Sequence, residues 1–170
     1  GFLLEDEDLL AERLGGELLE TEQVHPARVP GRLAGLVTIF QYMVGNTDFS
    51  LFRNHNAKII DTGSTVIPVP YDFDFTGFVN APYARPDPSL NIRDVTQRVF
   101  RGLCRGDVDY QAFYQLFNEK RPEMEELIRT QPGLGDREKE EALEYIGYFY
   151  EIINDEDRAR SNIERACRSL

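Results

Sequence analysis

Oxygen-bearing side chains are concentrated in two short stretches, a polar loop over residues 46–56 and an acidic segment over residues 71–76. In the acidic segment a single aromatic residue separates Asp72 from Asp74. Apolar residues alternate from Ile67 to Phe75, the period-2 pattern of a half-buried strand, so both carboxylates are expected on one face, about 6.5–7 Å apart. Two like charges this close need a cation, a shared proton or water between them, and a divalent cation with oxygen ligands is one ordinary solution.

The polar loop carries four further donors and acceptors, namely Asp48, Asn54, His55 and Asn56. It follows a predicted helix over 32–44, in which apolar residues fall at i, i+3, i+4, i+7 and i+11, and which ends at Gly45. It precedes a predicted strand over 57–60 and a turn over 61–64. A loop held between a packed helix and a strand is a common position for a functional site.

This order of helix, polar loop, strand, turn and acidic strand resembles the catalytic half of the protein-kinase-like fold. The sequences Gly-Asn-Thr-Asp, His-Asn and Tyr-Asp-Phe-Asp-Phe-Thr-Gly are most similar to atypical bacterial kinase-like proteins near the spore-coat CotH kinases. They are similar also to a family of uncharacterised bacterial proteins. The resemblance covers about residues 36–85. It implies an α+β, mostly helical fold, a kinase-like C-terminal lobe in which a small β-hairpin carries the acidic site.

The resemblance also implies roles for residues of the polar loop. Asp48 corresponds to the catalytic-loop aspartate that accepts or orients the substrate hydroxyl. The metal-binding asparagine corresponds to Asn56 or Asn54, because the usual kinase spacing of five residues lands on Arg53. The resemblance does not decide between the two asparagines.

Further roles follow for the residues after the loop. The second metal-binding aspartate corresponds to Asp74 or Asp72, with Asp-Phe-Thr-Gly in place of the usual Asp-Phe-Gly. Lys58 either reaches a phosphate or points to solvent. Asn80 and Tyr83 follow where kinases position substrate, and packing is the alternative for Tyr83. The implied cofactors are Mg²⁺ or Mn²⁺ and ATP, and the implied activity is metal-dependent phosphotransfer to an unknown acceptor.

Two other functions stay open at this point. A degenerate kinase-like domain would use the same groove to bind a peptide or carbohydrate without catalysis, and a metal-dependent hydrolase would use the paired acids with a bound water. The sequence has no Gly-rich phosphate loop, no Ser-His-Asp order and no nucleophile elbow. The nucleotide-covering N-terminal lobe is therefore expected outside residues 1–170, and this fragment alone is expected to be inactive.

Composition limits the remaining classes. A chain of 170 residues fits a single domain over 1–170, and 41% hydrophobic and 29% charged residues are ordinary for a globular protein. The net charge of −11 argues against non-specific binding to nucleic acid or to an anionic membrane. No apolar run approaches the roughly 20 residues of a membrane span. Cys104 and Cys167 are either two buried thiols or one disulfide.

The rest of the chain is predicted to be mainly helical. A short apolar run predicts a strand over 2–4, and leucine spacing predicts a helix that follows the acidic residues 5–8 and ends at Gly15–Gly16. Apolar spacing and cap residues predict the later helices, from Ser89 or Asn91 to about Leu103, from Gly106 or Asp107 onward, from Pro122 to Arg129, from Asp136 to about Ile153, and from Asp155.

Overall fold

The structure, a computed structural model, describes residues 5–20, 23–53 and 55–169. The α+β class is confirmed, with helix as the main regular element. In these ranges the helices and strands are α1 Glu7–Arg13, β1 Glu17–Leu18, α2 Gly31–Val44, β2 Ala57–Asp61, β3 Val66–Pro70, α3 Tyr110–Thr130, α4 Asp136–Ile153 and α5 Glu156–Ala159. None of these helices combines the length and the apolar character that a membrane crossing requires.

The three strands form one antiparallel sheet in the order β1-β2-β3. β2 and β3 make a hairpin in which Ile60 lies opposite Ile67 and Ala57 lies opposite Pro70. β3 is an edge strand of this sheet, and Pro68 and Pro70 have no N–H with which to pair a further strand.

The first helix is placed as the sequence predicted. The Asp6 side chain caps its N-terminus, and Gly15 follows it in a left-handed conformation with φ 69°. Leu10 and Ala11 are buried against Ile60 of β2, so α1 covers one side of the hairpin. The predicted strand over 2–4 lies outside the described residues.

α2 is packed on two sides. Ala34 belongs to an apolar cluster with Ile59 of the hairpin, whereas Ile39 belongs to a larger cluster with Phe113 of α3 and residues of α4. A Cβ on Gly35 would overlap the Phe113 ring, so glycine at this position lets α3 approach closely. Contacts on both sides hold α2, and its C-terminal end carries the polar loop.

Residues 89–103 do not form the predicted helix. The guanidinium of Arg98 donates to the carbonyl oxygens of Tyr42 at 3.1 Å, Met43 at 3.0 Å and Tyr145 at 2.6 Å, and it lies 3.7 Å from the centroid of the Tyr145 ring. The last carbonyls of a helix lack partners within it. The segment therefore follows an irregular path that brings Arg98 to the end of α2.

The helix predicted to begin at Pro122 is also wrong, because α3 runs through this proline without a break. The helix begins at Tyr110, after the cap residue Asp109. Phe117 before the proline and Met124 after it pack into the same apolar cluster. Burial on both sides of Pro122 therefore outweighs the backbone hydrogen bond that proline removes. The predicted starts of α4 at Asp136 and of the last helix behind Asp155 are confirmed.

Cys104 and Cys167 form a disulfide, with Cα atoms 4.9 Å apart. Beside it, the Cys104 N–H donates to the Arg168 carbonyl at 2.9 Å, and the Arg168 N–H donates to the Gly102 carbonyl at 2.9 Å. Of the two alternatives that the sequence left open, the structure has the bridge. Residues 167–168 are therefore held against residues 102–104.

Candidate functional site

The polar loop begins where α2 ends. Gly45 adopts the left-handed conformation, with φ 67°, and ends the helix as predicted. Asn46 is buried, its N–H donates to the Gln41 carbonyl at 2.8 Å, and its Oδ1 accepts the N–H of Asp48 at 2.8 Å. The end of α2 therefore positions the backbone of Asp48 directly.

Two residues from the far end of the loop bind the Asp48 carboxylate. Nε2 of His55 lies 2.6 Å from Oδ1, and because an ionised carboxylate can only accept, the imidazole is the donor. Nδ2 of Asn56 donates to Oδ2 at 3.0 Å and to the Asp48 carbonyl at 2.7 Å. The Ser50 N–H donates to the His55 carbonyl at 2.9 Å and closes the loop on itself. This closure returns Asn56 to Asp48 across a separation of eight residues.

Of the two asparagines proposed as metal ligands, the structure therefore brings Asn56 to the catalytic candidate. Asn54 lies outside the described residues. Asn56 adopts a left-handed conformation with φ 50°, which asparagine tolerates better than most residues. This backbone geometry turns the chain from the loop into β2 and keeps the Asn56 amide beside Asp48.

The strand predicted to run to Phe75 ends at Pro70, and this part of the prediction is wrong. The N–H of Tyr71 donates to the Asn56 carbonyl at 3.1 Å, and Asp72 then adopts a left-handed conformation with φ 57°. A left-handed residue interrupts the alternation of a strand. The two aspartates thus lie on an irregular segment and not on one face of a sheet.

The acidic segment packs back onto the end of α2. The N–H of Gly77 donates to the Gly45 carbonyl at 3.2 Å, and the N–H of Phe78 donates to the Val44 carbonyl at 3.0 Å. A Cβ on either glycine would overlap the Tyr145 hydroxyl, so the crossing requires both glycines. Asp74 therefore comes from a segment that is held by the same helix end as the polar loop.

The carboxylates of Asp72 and Asp74 interact with each other. The pKa of Asp72 is raised above its ordinary value, first by loss of solvent, then by a hydrogen bond with Asp74 and the charge of Asp74, and also by the charge of Asp48. Neither Asp72 nor Asp74 forms an ion pair with a basic side chain in the part of the chain that the structure describes. Three acids from the two predicted stretches therefore lie within electrostatic reach of one another.

Of the two candidate substrate residues, Tyr83 joins this group. A hydrogen bond with Asp74 is the main cause that raises the pKa of the Tyr83 hydroxyl, because the neighbouring carboxylate favours the protonated form. The Tyr83 side chain is otherwise 60% exposed. Asn80 adopts a left-handed conformation, its side chain is exposed, and its N–H donates to the Thr76 carbonyl at 2.9 Å. Asn80 thus lies in the turn that directly follows the acidic segment.

Lys58 is bound to α1. Its Nζ lies 2.5 Å from Oε1 of Glu7 and 5.5 Å from the centroid of the Tyr71 ring. The hydrogen bond with Glu7 is the main cause that raises the pKa of Lys58. A role of Lys58 in phosphate binding stays a prediction, and it requires that the amine exchange Glu7 for the phosphate.

The donors are carboxylate and amide oxygens, the chemical type that Mg²⁺ and Mn²⁺ prefer. No group of three or more His, Cys, Asp or Glu side chains is arranged to hold a metal ion within residues 5–20, 23–53 and 55–169. Mg²⁺ in phosphotransfer sites, however, is bound by one or two carboxylates together with phosphate oxygens. Asp72 and Asp74 supply two carboxylates, and the Asn56 amide, which uses Nδ2 on Asp48, leaves Oδ1 without a hydrogen bond to the described residues.

Two residues of the site received no role from the sequence. His55 was grouped with the polar residues of the loop, but nothing in the spacing indicated its hydrogen bond with Asp48. Asn46 was missed, although a polar residue directly after a helix-ending glycine and two residues before an aspartate is a common turn-forming arrangement. Its Nδ2 is buried and has no partner among the described residues.

No protein-family model matches the chain, and comparison with curated proteins and with solved structures found no match. The functional argument therefore rests on the residues and the geometry described above.

Proposed function

We propose that the polar loop and the acidic segment form the site of a metal-dependent, kinase-like phosphotransferase that uses ATP. The observation that carries this proposal is the position of Asn56. Its amide binds the Asp48 carboxylate, while its carbonyl binds the Tyr71 N–H, one residue before Asp72. One residue thus joins the catalytic candidate to the acidic pair, as phosphotransfer requires of its base and its metal ligands.

Each residue has a distinct part in this proposal. Asp48 accepts or orients the attacking hydroxyl of the acceptor, and the hydrogen bonds from His55 and Asn56 hold its carboxylate in place. Asn56, Asp72 and Asp74 would hold Mg²⁺ or Mn²⁺. The ion supplies positive charge to the nucleotide phosphates.

The electrostatics of the acidic pair support a cation at this position. Loss of solvent, and then the hydrogen bond with Asp74 and its charge, raise the pKa of Asp72, so this carboxyl retains a proton more readily than an isolated aspartate does. A divalent cation can replace that proton and remove the repulsion. The segment bears no basic side chain that performs this task in the described part of the chain.

The pair of His55 and Asp48 favours a second candidate, a metal-dependent hydrolase. An imidazole that is hydrogen-bonded to a carboxylate at 2.6 Å and largely exposed to solvent can take a proton from a metal-activated water. Hydrolysis of a phosphoester without nucleotide would distinguish this activity from phosphotransfer.

The test measures Mn²⁺ binding by electron paramagnetic resonance, with and without ATP, in the full-length protein and in its Asp74→Asn variant. We expect Asp74→Asn to weaken Mn²⁺–ATP binding by at least about tenfold, because one charged ligand is lost. Asp157→Asn removes the same charge from an exposed position on α5 and serves as the matched control. The proposal is wrong if Asp74→Asn and Asp157→Asn bind Mn²⁺–ATP equally well.

A second measurement identifies the reaction. Release of inorganic phosphate from a phosphoester such as p-nitrophenyl phosphate, without ATP, would support the hydrolase. Folding that is indifferent to chelation of metal, together with no binding of Mn²⁺–ATP, would support a kinase-like module that only binds a partner.

A further inference from the structure

A cavity of about 540 Å³ lies beside the polar loop. Its lining includes Asp48 and His55 together with the three arginines Arg53, Arg101 and Arg168. The chain as a whole carries a net charge of −11, so three arginines in one cavity are contrary to its general charge.

The guanidinium groups in this cavity are not neutralised by any residue that the structure describes. Arg53, Arg101 and Arg168 form no ion pair with another described residue. Nε of Arg101 is buried and has no hydrogen-bond partner among those residues. A buried donor without a partner is unfavourable unless a ligand or water satisfies it.

Two of the arginines are held together. Nε and Nη2 of Arg168 donate to the Arg101 carbonyl at 3.1 and 2.7 Å. The disulfide between Cys104 and Cys167 fixes the backbone of the residue directly before Arg168. Loss of solvent, and then the charge of Arg101, lowers the pKa of Arg168. Within the described residues, the two like charges are thus kept in proximity by the backbone and not by a carboxylate.

The other carboxylate of the cavity is Asp87. Its side chain accepts the Ser89 N–H at 2.8 Å, and this bond is the main cause that lowers its pKa, with a smaller contribution from the charge of Arg101. Asp48 and Asp87, the two described carboxylates of the lining, do not balance three guanidiniums. An oxyanion with several acceptor atoms would use the remaining N–H groups, because guanidinium and phosphate match in geometry.

We propose that this cavity binds an oxyanion, a phosphate monoester group, on the acceptor substrate. The proposal rests on the proposed function, because Asp48 lines the same cavity and would orient a hydroxyl of the molecule whose anionic group the arginines hold. The acceptor is then a phosphorylated molecule and not a neutral sugar or peptide. Arg101 and Arg168 bind the phosphate, and Arg53, from the polar loop, contributes a third positive charge.

The test is a titration of the protein with inorganic phosphate and with O-phosphoserine, followed by NMR chemical shifts at constant ionic strength. We expect saturable shifts in the residues that line the cavity. The double variant Arg101→Gln with Arg168→Gln should weaken binding of both probes by at least about tenfold, because two charged donors are lost. Arg137→Gln, an exposed arginine of α4, is the matched control and should bind as the wild type does. Serine, which lacks the phosphate, should cause no shifts.

The outcomes separate this site from the metal site. Absence of saturable phosphate binding in the wild type, or equal binding in the double variant, overturns the oxyanion site even if Mn²⁺ binds. Phosphate binding that persists where Mn²⁺–ATP binding fails overturns the acceptor role. Retention of the wild-type NMR spectrum outside the cavity shows that the double variant is folded, and the single variant Arg101→Gln repeats the test without a change at Arg168.

Discussion

The two sides of the polar loop differ in charge and in origin. On one side, Asp72 and Asp74 come from a segment that follows the loop after a single hairpin. On the other side, Arg101 and Arg168 come from parts of the chain that are 67 residues apart and are joined by a disulfide. The hydrogen bonds that hold the acidic side therefore lie within one continuous stretch, from the end of α2 to Phe78, whereas the basic side joins parts of the chain that are far apart in the sequence.

This difference has a structural consequence. The acidic side is held by backbone hydrogen bonds that use the end of α2, through Asn46, Gly45 and Gly77. The basic side is held by one covalent bond and two backbone hydrogen bonds, at Cys104, Cys167 and Arg168. Changes that affect one set of connections should leave the other side largely intact, and this expectation can be tested.

Removal of the disulfide should have the largest effect. The bridge closes a loop with a sequence separation of 63 residues, for which the chain-entropy relation predicts a loss of about 4 kcal/mol in the free energy of unfolding. Denaturant unfolding of Cys104→Ser with Cys167→Ser measures this loss, and the reduced wild type is the control. A loss below about 1 kcal/mol would contradict it. Where the variant is folded, Mn²⁺–ATP binding on the acidic side should persist.

Gly77→Ala should have the next largest effect, and it should act on the acidic side. An added Cβ would overlap the Tyr145 hydroxyl and approach the Val95 carbonyl oxygen to 2.5 Å. Overpacking of this kind lowers the free energy of unfolding by about 2–3 kcal/mol. Thermal unfolding measures the change. Gly106→Ala is the control, because a Cβ there meets nothing within 4 Å. Equal stability of the two variants would show that the crossing does not restrain the acidic segment.

Two substitutions at Asn56 should separate its side chain from its backbone. Asn56→Gly and Asn56→Ala both remove the hydrogen bonds to Asp48. Alanine in the left-handed conformation costs about 1 kcal/mol more than glycine does. Denaturant unfolding should therefore find Asn56→Ala less stable than Asn56→Gly by about that amount. A glycine variant that is the less stable of the two would exclude the left-handed backbone at this position.

The smallest effect is expected from Asp72→Asn, and it depends on pH. The folded-state pKa of Asp72 is raised, first by loss of solvent and then by Asp74, so the folded protein binds more protons than the unfolded chain above pH 3.8. Stability is thus lost as the pH rises from 3.8 to the raised value. Asparagine removes this loss, so Asp72→Asn should melt at a higher temperature than the wild type at pH 7 and at the same temperature near pH 3.

The increase in the free energy of unfolding caused by Asp72→Asn at pH 7 should stay below about 1 kcal/mol, because the Asp72 side chain is exposed to solvent. Melting curves of both proteins between pH 3 and 7 provide the comparison, with Asp157→Asn as the charge control. Millimolar Mg²⁺ should raise the melting temperature of the wild type more than that of Asp72→Asn. Parallel pH profiles for the two proteins would argue against repulsion between the acids.

Local sequence predicted the elements that flank the polar loop, but not the backbone of the acidic segment. The helix before the loop, its end at Gly45 and the hairpin follow from apolar spacing and from glycine and proline, which act within a few residues. The alternation through Phe75 predicted a strand, but Phe73 and Phe75 are only partly buried and pack on α2 and on Tyr83, not within a sheet. Phe73, for example, lies edge-on to Phe40 with ring centroids 6.0 Å apart.

The helix predictions that were wrong concern segments whose backbone is determined by contacts with residues far away in the sequence. The spacing of Val95, Val99 and Leu103 fits a helix, yet Arg98 binds the end of α2 and the segment is irregular. Pro122 indicates a helix start, yet packing carries α3 through it. Local preference amounts to a few kcal/mol at most, and burial of a core face exceeds it.

The sequence alone predicted the α+β class, the helix that ends at Gly45 and the hairpin. It also indicated the set of polar residues from Asp48 to Asp74. Such features depend on periodicity and on turn residues, which are properties of neighbours along the chain. Tertiary structure chose Asn56 as the partner of Asp48, formed the bridge between Cys104 and Cys167 and gathered the arginines into one cavity. Those pairings join residues whose separation along the chain carries no local signal, so only the folded backbone can specify them.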